Sequence, residues 1–288
     1  MRKENKCFGR LILKKDSRKI ISCKRCGYKH VVPMYTQKEL EDFYENYYAE
    51  STPSYLWPEK VYNIMKWKRK ASILDIGCWE GQQLEYFQKN GWSCTGTELN
   101  KRAAAVAASK GITVHQISIQ DFFKKFKGRK WDVINIAYIL EHIVSPRGFL
   151  LQIKKHLKKD GIIIVEVPNE FSPLQMAYIK KQRVEPYWIA LPDHLNYFNQ
   201  KELSGLMKNT GWKILHGHTS FPMELFLLMG DDYLKDKTIG KMSFAKVVKM
   251  ESVLREHDPG SVSELYSSLY KIGVGRSIVI YATCEARN

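Results

Sequence analysis

The sequence predicts an α/β protein built on a doubly wound sheet, and three observations point there. From residue 71, short apolar runs alternate with segments of helical pattern. Glycines punctuate the links, at Gly77, Gly91, Gly111, Gly161 and Gly211. The first apolar run ends in a glycine turn, and the next ends in an acid, Glu98. Alternation with short links means parallel strands with helices on both faces of a sheet.

Residues 1–34 form a basic segment. Its first 30 residues hold eleven Lys/Arg against Glu4 and Asp16, within a chain of 46 Lys/Arg, 30 Asp/Glu and net charge +16. Such a field favours anionic partners: nucleic acid, phosphorylated small molecules or an acidic membrane surface. Basic residues that only solubilise fit the charge equally well. The segment contains Cys23-Lys24-Arg25-Cys26-Gly27, a knuckle in which glycine lets the backbone fold back under a metal. A structural zinc needs four ligands, and Cys7, Cys23, Cys26 and His30 supply them. Arg10 stands where a ribbon would place its second early cysteine, so a degenerate, metal-free ribbon is the other reading. Cys78, Cys94 and Cys284 lie in or beside apolar runs as small core residues.

Residues 35–69 read as an aromatic helical linker. Thr36 and Glu39 form a capping box for a helix from about residue 37 to 47. Tyr35, Phe43, Tyr44, Tyr47, Tyr48, Tyr55, Trp57, Tyr62 and Trp67 follow its course, interrupted by Pro53 and Pro58. Packing against the main domain is the favoured use of these rings; covering a ligand cleft is the alternative.

Residues 70–288 form the main domain. Strands are expected at Ser72–Gly77, Trp92–Glu98, Ile112–His115, Asp132–Ala137, Ile162–Val167, Trp212–His216 and Ser277–Thr283. Helices are expected at Gln82–Asn90, Lys101–Lys110 and Gln200–Asn209, and along the face of Phe149, Leu150, Ile153 and Leu157. Two stretches exceed a minimal fold, at about 170–199 and 217–275. They are placed to build an acceptor pocket, with Lys180 or Arg183 to grip a phosphate. The Met- and Phe-rich run from Phe221 to Leu234 reads as core or dimer contact before lid.

Composition excludes some classes. With 44% hydrophobic and 12% aromatic residues the chain can bury a core, so it is not a disordered protein. Its longest apolar runs fall well short of the roughly 18 residues that span a bilayer. Residues 1–19 lack the apolar stretch of a signal peptide. A cytoplasmic protein is the expectation.

The strongest chemical signal is ILDIGCWEG, Ile73 to Gly81. A buried strand delivers Asp75 and Gly77 to the carboxyl edge of the sheet, where ligands of open α/β sheets bind. Gly77 admits a ligand to the backbone, and Gly81 opens the following helix. Glu98 comes 21 residues after Gly77, which suits a carboxylate accepting both ribose hydroxyls of an adenosine. A pyrophosphate wants bare backbone and no negative charge at the helix start. Trp79 and Glu80 violate both conditions, whereas a cationic sulfonium tolerates them. The residues therefore point to S-adenosylmethionine over a nicotinamide dinucleotide.

Residues 70–215 resemble the class I S-adenosylmethionine-dependent methyltransferases. The resemblance is carried by ILDIGCWEGQQL, TGTELN, WDVINIAYILEHIVSP and LKKDGIIIVEVPN, with Trp79 where the family usually has glycine. It implies a Rossmann-like, doubly wound seven-stranded sheet with its last strand antiparallel. It also implies that Asp75 and Gly77 flank the methionine part and Glu98 holds the ribose. Asp121 lies in the region of the adenine amine, and Ala137 and Tyr138 lie where the methyl group faces the acceptor.

The chain's edges resemble a narrower group, bacterial methyltransferases of sugars and surface glycans. These often carry an N-terminal zinc ribbon, an aromatic segment like ELEDFYENYY and a DHLNYF-like element, here Asp193 to Phe198. In sugar C-methyltransferases of this kind an acid–histidine pair there serves proton transfer, and Asp193 with His194 matches it. A histidine beside a carboxylate suits a general base at neutral pH. A structural His194, bonded to backbone, is the competing reading. Glu141-His142 resembles a metal-binding pair of quinone-pathway O-methyltransferases. Tyr138 replaces their further acid, so no catalytic metal is expected.

The expected activity is methyl transfer from S-adenosylmethionine to a small-molecule or glycan acceptor of anionic character, such as a nucleotide-activated sugar or surface polysaccharide. The alternative is an RNA methyltransferase whose basic N-terminal segment grips phosphates. Its ribbon offers only Phe8 and Tyr28 for base stacking.

Overall fold

The computed structural model describes residues 7–46 and 58–285. Expectations for Tyr47, Tyr48, Pro53, Tyr55 and Trp57 lie outside the described residues. The chain opens with β1 (Gly9–Lys15), β2 (Arg18–Cys23) and β3 (Lys29–Val32). Two helices follow, α1 (Gln37–Asn46) and α2 (Pro58–Trp67). The alternating region runs β4 (Ser72–Ile76), α3 (Gln82–Lys89), β5 (Ser93–Thr97), α4 (Lys101–Ser109), β6 (Thr113–His115), α5 (Ile119–Lys125), β7 (Trp131–Ala137), α6 (Pro146–Ile153) and β8 (Leu157–Pro168). Then come α7 (Pro173–Gln182), β9 (Asn196–Tyr197), α8 (Gln200–Asn209) and β10 (Trp212–Thr219). The chain closes with α9 (Glu224–Met229), α10 (Lys237–His257), α11 (Ser261–Lys271) and β11 (Ser277–Cys284).

Seven strands form the main sheet, in the order β10-β11-β8-β7-β4-β5-β6, with the last strand of the chain antiparallel. Neighbouring pairs from β8 to β6 are parallel. The chain starts this sheet at β4, steps outward through β5 to β6, then returns to the other side of β4 with β7. The order thus reverses between β4 and β7, where open sheets of this kind leave a ligand crevice. Ile73, Leu74, Ile134, Ile136, Ile163 and Ile164 are almost wholly buried. These strands are covered on both faces, which is why they read as largely apolar runs.

The structure moves several boundaries: β8 starts at Leu157 rather than Ile162, and β10 runs to Thr219 rather than His216. The helical face expected to include Leu157 ends at Ile153. Leu157 instead begins β8, paired with Trp131 across the sheet. The capping box at α1 is present: Thr36 N–H donates to Glu39 Oε2 at 2.7 Å, and Glu39 N–H to Thr36 Oγ1 at 3.3 Å. Trp67 packs against Tyr281 at 5.0 Å between ring centroids, the packing use favoured from sequence. Met223 and Phe226 are core residues with Val247, backed by Phe221 and Tyr233.

A second sheet has the order β1-β2-β3-β9, so the N-terminal strands recruit a two-residue strand from the 170–199 insert. Among the described residues the chain divides into two compact units. One gathers those up to Pro33, Val167–Leu206 and His216–Ile280; the other gathers those from Met34 to Glu166, Met207–Leu215 and those from Tyr281 on. Among the described residues no helix is long and apolar enough to cross a membrane.

Candidate active site

The turn after β4 is fixed from three directions. Asp75 is buried, and Asn135 Nδ2 on β7 donates to its Oδ1 at 2.6 Å. Burial pushes its carboxyl up to about 6, against the opposing effect of that hydrogen bond. The N–H groups of Gly77 and Cys78 both donate to Thr97 O of β5, at 2.8 and 3.0 Å. Gly77 has φ +74°, and a Cβ there would stand 2.5 Å from Ile139 Cδ1. Only glycine fits both conditions.

Trp79 also has positive φ, +50°, in the place where the resemblance anticipates glycine. Its N–H donates to Glu98 Oε2 at 3.0 Å, while Asn100 N–H donates to Glu98 Oε1 at 2.7 Å. Glu98 therefore ties the turn to the start of α4. A carboxylate has roughly four acceptor sites, so capacity for hydroxyl donors remains. The Trp79 indole N–H is buried with no hydrogen-bond partner.

The other residues singled out from sequence fall differently. Gly81 precedes α3 with φ +74°, and a Cβ there would meet Ile112 and Ala107 at 2.7 and 2.9 Å, so packing of α3 dictates this glycine. Asp121 is exposed in the first turn of α5. Its carboxylate accepts from the Ser118 hydroxyl at 2.8 Å and from Lys124 at 3.1 Å. Gln116 and Ile117 are the residues that directly follow β6. Ala137 ends β7. Tyr138 then turns into positive φ, +54°, with its N–H on Glu166 O at 2.9 Å.

Sequence reasoning missed Lys60 and Glu166, which form a buried ion pair with side chains 3% and 1% exposed. Lys60, Glu98 and Glu166 all act electrostatically on Asp75. Three carboxylates thus face one ammonium around this turn. That balance suits a cationic ligand and opposes a pyrophosphate. The signal was present: Glu166 and Asn135 are polar residues set inside otherwise apolar strands.

In the other unit, His194 Nδ1 lies 2.9 Å from Glu170 Oε1. Glu170 is buried, and its backbone N–H is held by Phe198 O at 2.8 Å. The preceding Asn169 is anchored through Nδ2 to Gly273 O and Gly275 O, at 3.0 and 2.9 Å. The carboxylate accepts the Nδ1 proton, which puts the lone pair of a neutral imidazole on Nε2. Asp193 is half-buried beside it. Glu170 was not anticipated from the sequence.

The four early metal-ligand candidates converge. The ligand atoms of Cys7, Cys23, Cys26 and His30 lie within 4.8 Å of one another. The Cys7 and Cys26 sulfurs are 3.7 Å apart. A tetrahedral zinc with Zn–S bonds of about 2.3 Å would set its sulfurs about 3.8 Å apart. Cys26 N–H points at Cys23 Sγ at 3.4 Å, and Gly27 turns with φ +80°. His30 Nδ1 bonds Val31 O at 2.9 Å, and its buried Nε2 has no hydrogen-bond partner. That is the tautomer a metal-ligating histidine needs. The donor set fits zinc.

A family model described as a methyltransferase domain matches residues 44–217. The chain belongs to that family. It is a class I S-adenosylmethionine-dependent methyltransferase. Curated relatives include the ubiquinone biosynthesis O-methyltransferase of Glaesserella parasuis, 29% identical over 116 residues, which cover 37% of this chain and 49% of the relative. Its counterpart in Rickettsia canadensis is 25% identical over 155 residues, covering 50% and 64%. The methyltransferase thus spans about half to two thirds of the length of these relatives. A solved structure, the Burkholderia thailandensis 1,6-didemethyltoxoflavin-N1-methyltransferase with bound S-adenosylhomocysteine, shares the fold. Its TM-score is 0.55 and its identity 14%, covering 96% of this chain and 100% of that one.

Proposed function

We propose that this methyltransferase methylates an oxygen or carbon nucleophile of a sugar or glycan precursor, with His194 as general base. The observation that carries the reading is the pairing of half-buried His194 with buried Glu170. A neutral amine attacks a methyl group with its own lone pair, whereas a hydroxyl or carbon acid must shed a proton to a base. Glu170 holds the imidazole in the accepting tautomer and stabilises the imidazolium that forms. Asp193 adds negative potential beside it.

S-adenosylmethionine, when bound, supplies an electrophilic methyl carbon on a sulfonium sulfur. Asp75, Gly77 and Glu98 are the residues that would hold it, Glu98 through the ribose hydroxyls, with Ala137 and Tyr138 on the acceptor side. Their carboxylates favour the cation. Asp121 would serve the adenine only if its carboxylate left Ser118 and Lys124. Cys7, Cys23, Cys26 and His30 would hold a structural zinc. The sugar assignment is supported by the Asp193–Phe198 element, which resembles that of sugar methyltransferases and carries His194.

The names of the curated relatives, ubiquinone biosynthesis O-methyltransferases, support a second reading, O-methylation of an acceptor in that biosynthesis, for which a catechol serves as the probe. A single assay separates the possibilities. Purified enzyme with S-adenosylmethionine is offered nucleotide-activated sugars, free sugars, catechols and RNA, and S-adenosylhomocysteine release is measured. Release stimulated by sugars is expected. Release with catechols alone would move the assignment to that second reading, and release with RNA alone would move it to the nucleic acid.

A further inference from the structure

We propose that Glu224 and the tyrosines around it form a recognition site for an ammonium group, so that the acceptor is an amino sugar held by its amino substituent. This rests on the sugar reading above and narrows it. Glu224 begins α9 and is 2% exposed. Its Oε1 accepts only long hydrogen bonds from neutral donors, Gln175 Nε2 at 3.4 Å and the Tyr187 hydroxyl at 3.3 Å. Its Oε2 is buried with no partner. Among the described residues it makes no ion pair, unlike Glu166, Glu202 and Glu251, which each have a cation. A buried carboxylate without its counter-charge is costly unless something else supplies one.

The surroundings favour a cation as that supplier. Tyr187 and Tyr233 both lie within electrostatic reach of Glu224, and Tyr178 packs edge-on against Tyr187 at 6.0 Å. Burial pushes both phenols up, with Glu224 adding to it, so they remain neutral donors. Aromatic faces carry negative quadrupole and attract ammonium groups. A phosphate here would meet the Glu224 charge, and a hydroxyl would leave it uncompensated.

The site is continuous with the proposed base, within one unit of the chain. Tyr187 contacts Trp188 at 5.0 Å, Trp188 contacts Phe171 at 5.2 Å, Phe171 contacts Tyr197 at 6.1 Å, and Tyr197 contacts His194 at 6.2 Å. The first three contacts are edge-to-face; Tyr197 is fully buried and Lys29 Nζ lies over the Phe171 ring at 4.8 Å, so the half-buried Tyr187 and Trp188 are the rings that can meet a sugar. The Trp188 indole N–H is buried without a partner and offers a donor to a ring hydroxyl. An amine bound as ammonium has no lone pair for methylation. It is therefore a handle, and the nucleophile is another group whose proton His194 takes.

The test uses the full-length enzyme saturated with S-adenosylhomocysteine. Calorimetric titration compares D-glucosamine, at a pH where it is protonated, with D-glucose. Glucosamine is expected to bind at least about tenfold more tightly. Glu224→Gln is expected to erase that preference and leave S-adenosylhomocysteine affinity unchanged. Equal binding of the two sugars, or a preference that survives Glu224→Gln, would overturn the ammonium site and leave the sugar reading standing. Saturable binding of neither sugar would overturn both. Should Glu224→Gln fail to fold, the comparison of the two sugars on the natural chain decides by itself.

Discussion

His194 is bonded through Nδ1 to Glu170, a buried carboxylate 24 residues earlier in the chain, in the turn two residues beyond β8. The relationship makes a proton acceptor of Nε2 and gives Glu170 a role separate from binding. His194→Ala should lower kcat by about 10²–10⁴-fold, the usual share of a general base. Glu170→Gln should lower kcat by a smaller factor. Neither change should alter S-adenosylmethionine affinity in calorimetry. Natural turnover in His194→Ala would remove it from the mechanism.

Asp75 predicts a pH dependence of stability. Its carboxyl titrates at about 6 in the folded chain, because burial penalises the charge, against about 3.9 when unfolded. Between those values the folded state binds more protons than the unfolded state. The contribution of Asp75 to stability therefore falls as pH rises, by up to about 3 kcal/mol once pH passes the folded value. Asp75→Asn keeps an acceptor for Asn135 and does not titrate. Its melting temperature should match that of the natural protein near about pH 4 and exceed it increasingly towards about pH 7. A constant difference across that range would contradict the assignment.

The Lys60–Glu166 pair predicts non-additive stability. Lys60→Met leaves a buried carboxylate without its cation and should cost about 3–5 kcal/mol in denaturant unfolding. Lys60→Met combined with Glu166→Leu should cost clearly less than Lys60→Met alone, because no charge is stranded. A double variant as unstable as the sum of the singles would show that the two residues act independently.

The cysteine–histidine cluster predicts a metal. Elemental analysis of protein purified without chelator should find about one zinc per chain, as a four-ligand structural site holds. Cys26→Ser should lose it and lower the melting temperature, and a strong chelator should do the same to the natural chain. Absence of zinc from the natural protein would leave the cluster as reduced thiols.

The turn from Asp75 to Gly81 was legible because its demands are local: a glycine where φ is positive, an acid at a strand end, apolar residues between. Cys7 was legible by type, and the pairing of Gly9 with Cys23 is what carries it to the other ligands. Glu170 was not, since its partner lies across a loop with no repeating pattern. Lys60 and Glu166 join a helix and a strand about a hundred residues apart, and no period links such residues. β9 has two residues, too few for alternation to register. Leu157 continued the helical spacing of α6, but its pairing with Trp131 outweighed that spacing.

One consequence concerns chimeras. β3 pairs with β9 through Lys29 with Tyr197 and His30 with Asn196, and Val31 N–H reaches Leu195 O at 3.0 Å. The cysteine-bearing front end is thus stitched to the segment that follows His194 by one to three residues. It cannot be trimmed away or swapped as though it were a detachable tag. A shortened chain beginning after Pro33 would strip β9 of its only sheet neighbour among the described residues, and a front end grafted from a relative must bring a matching edge to replace it.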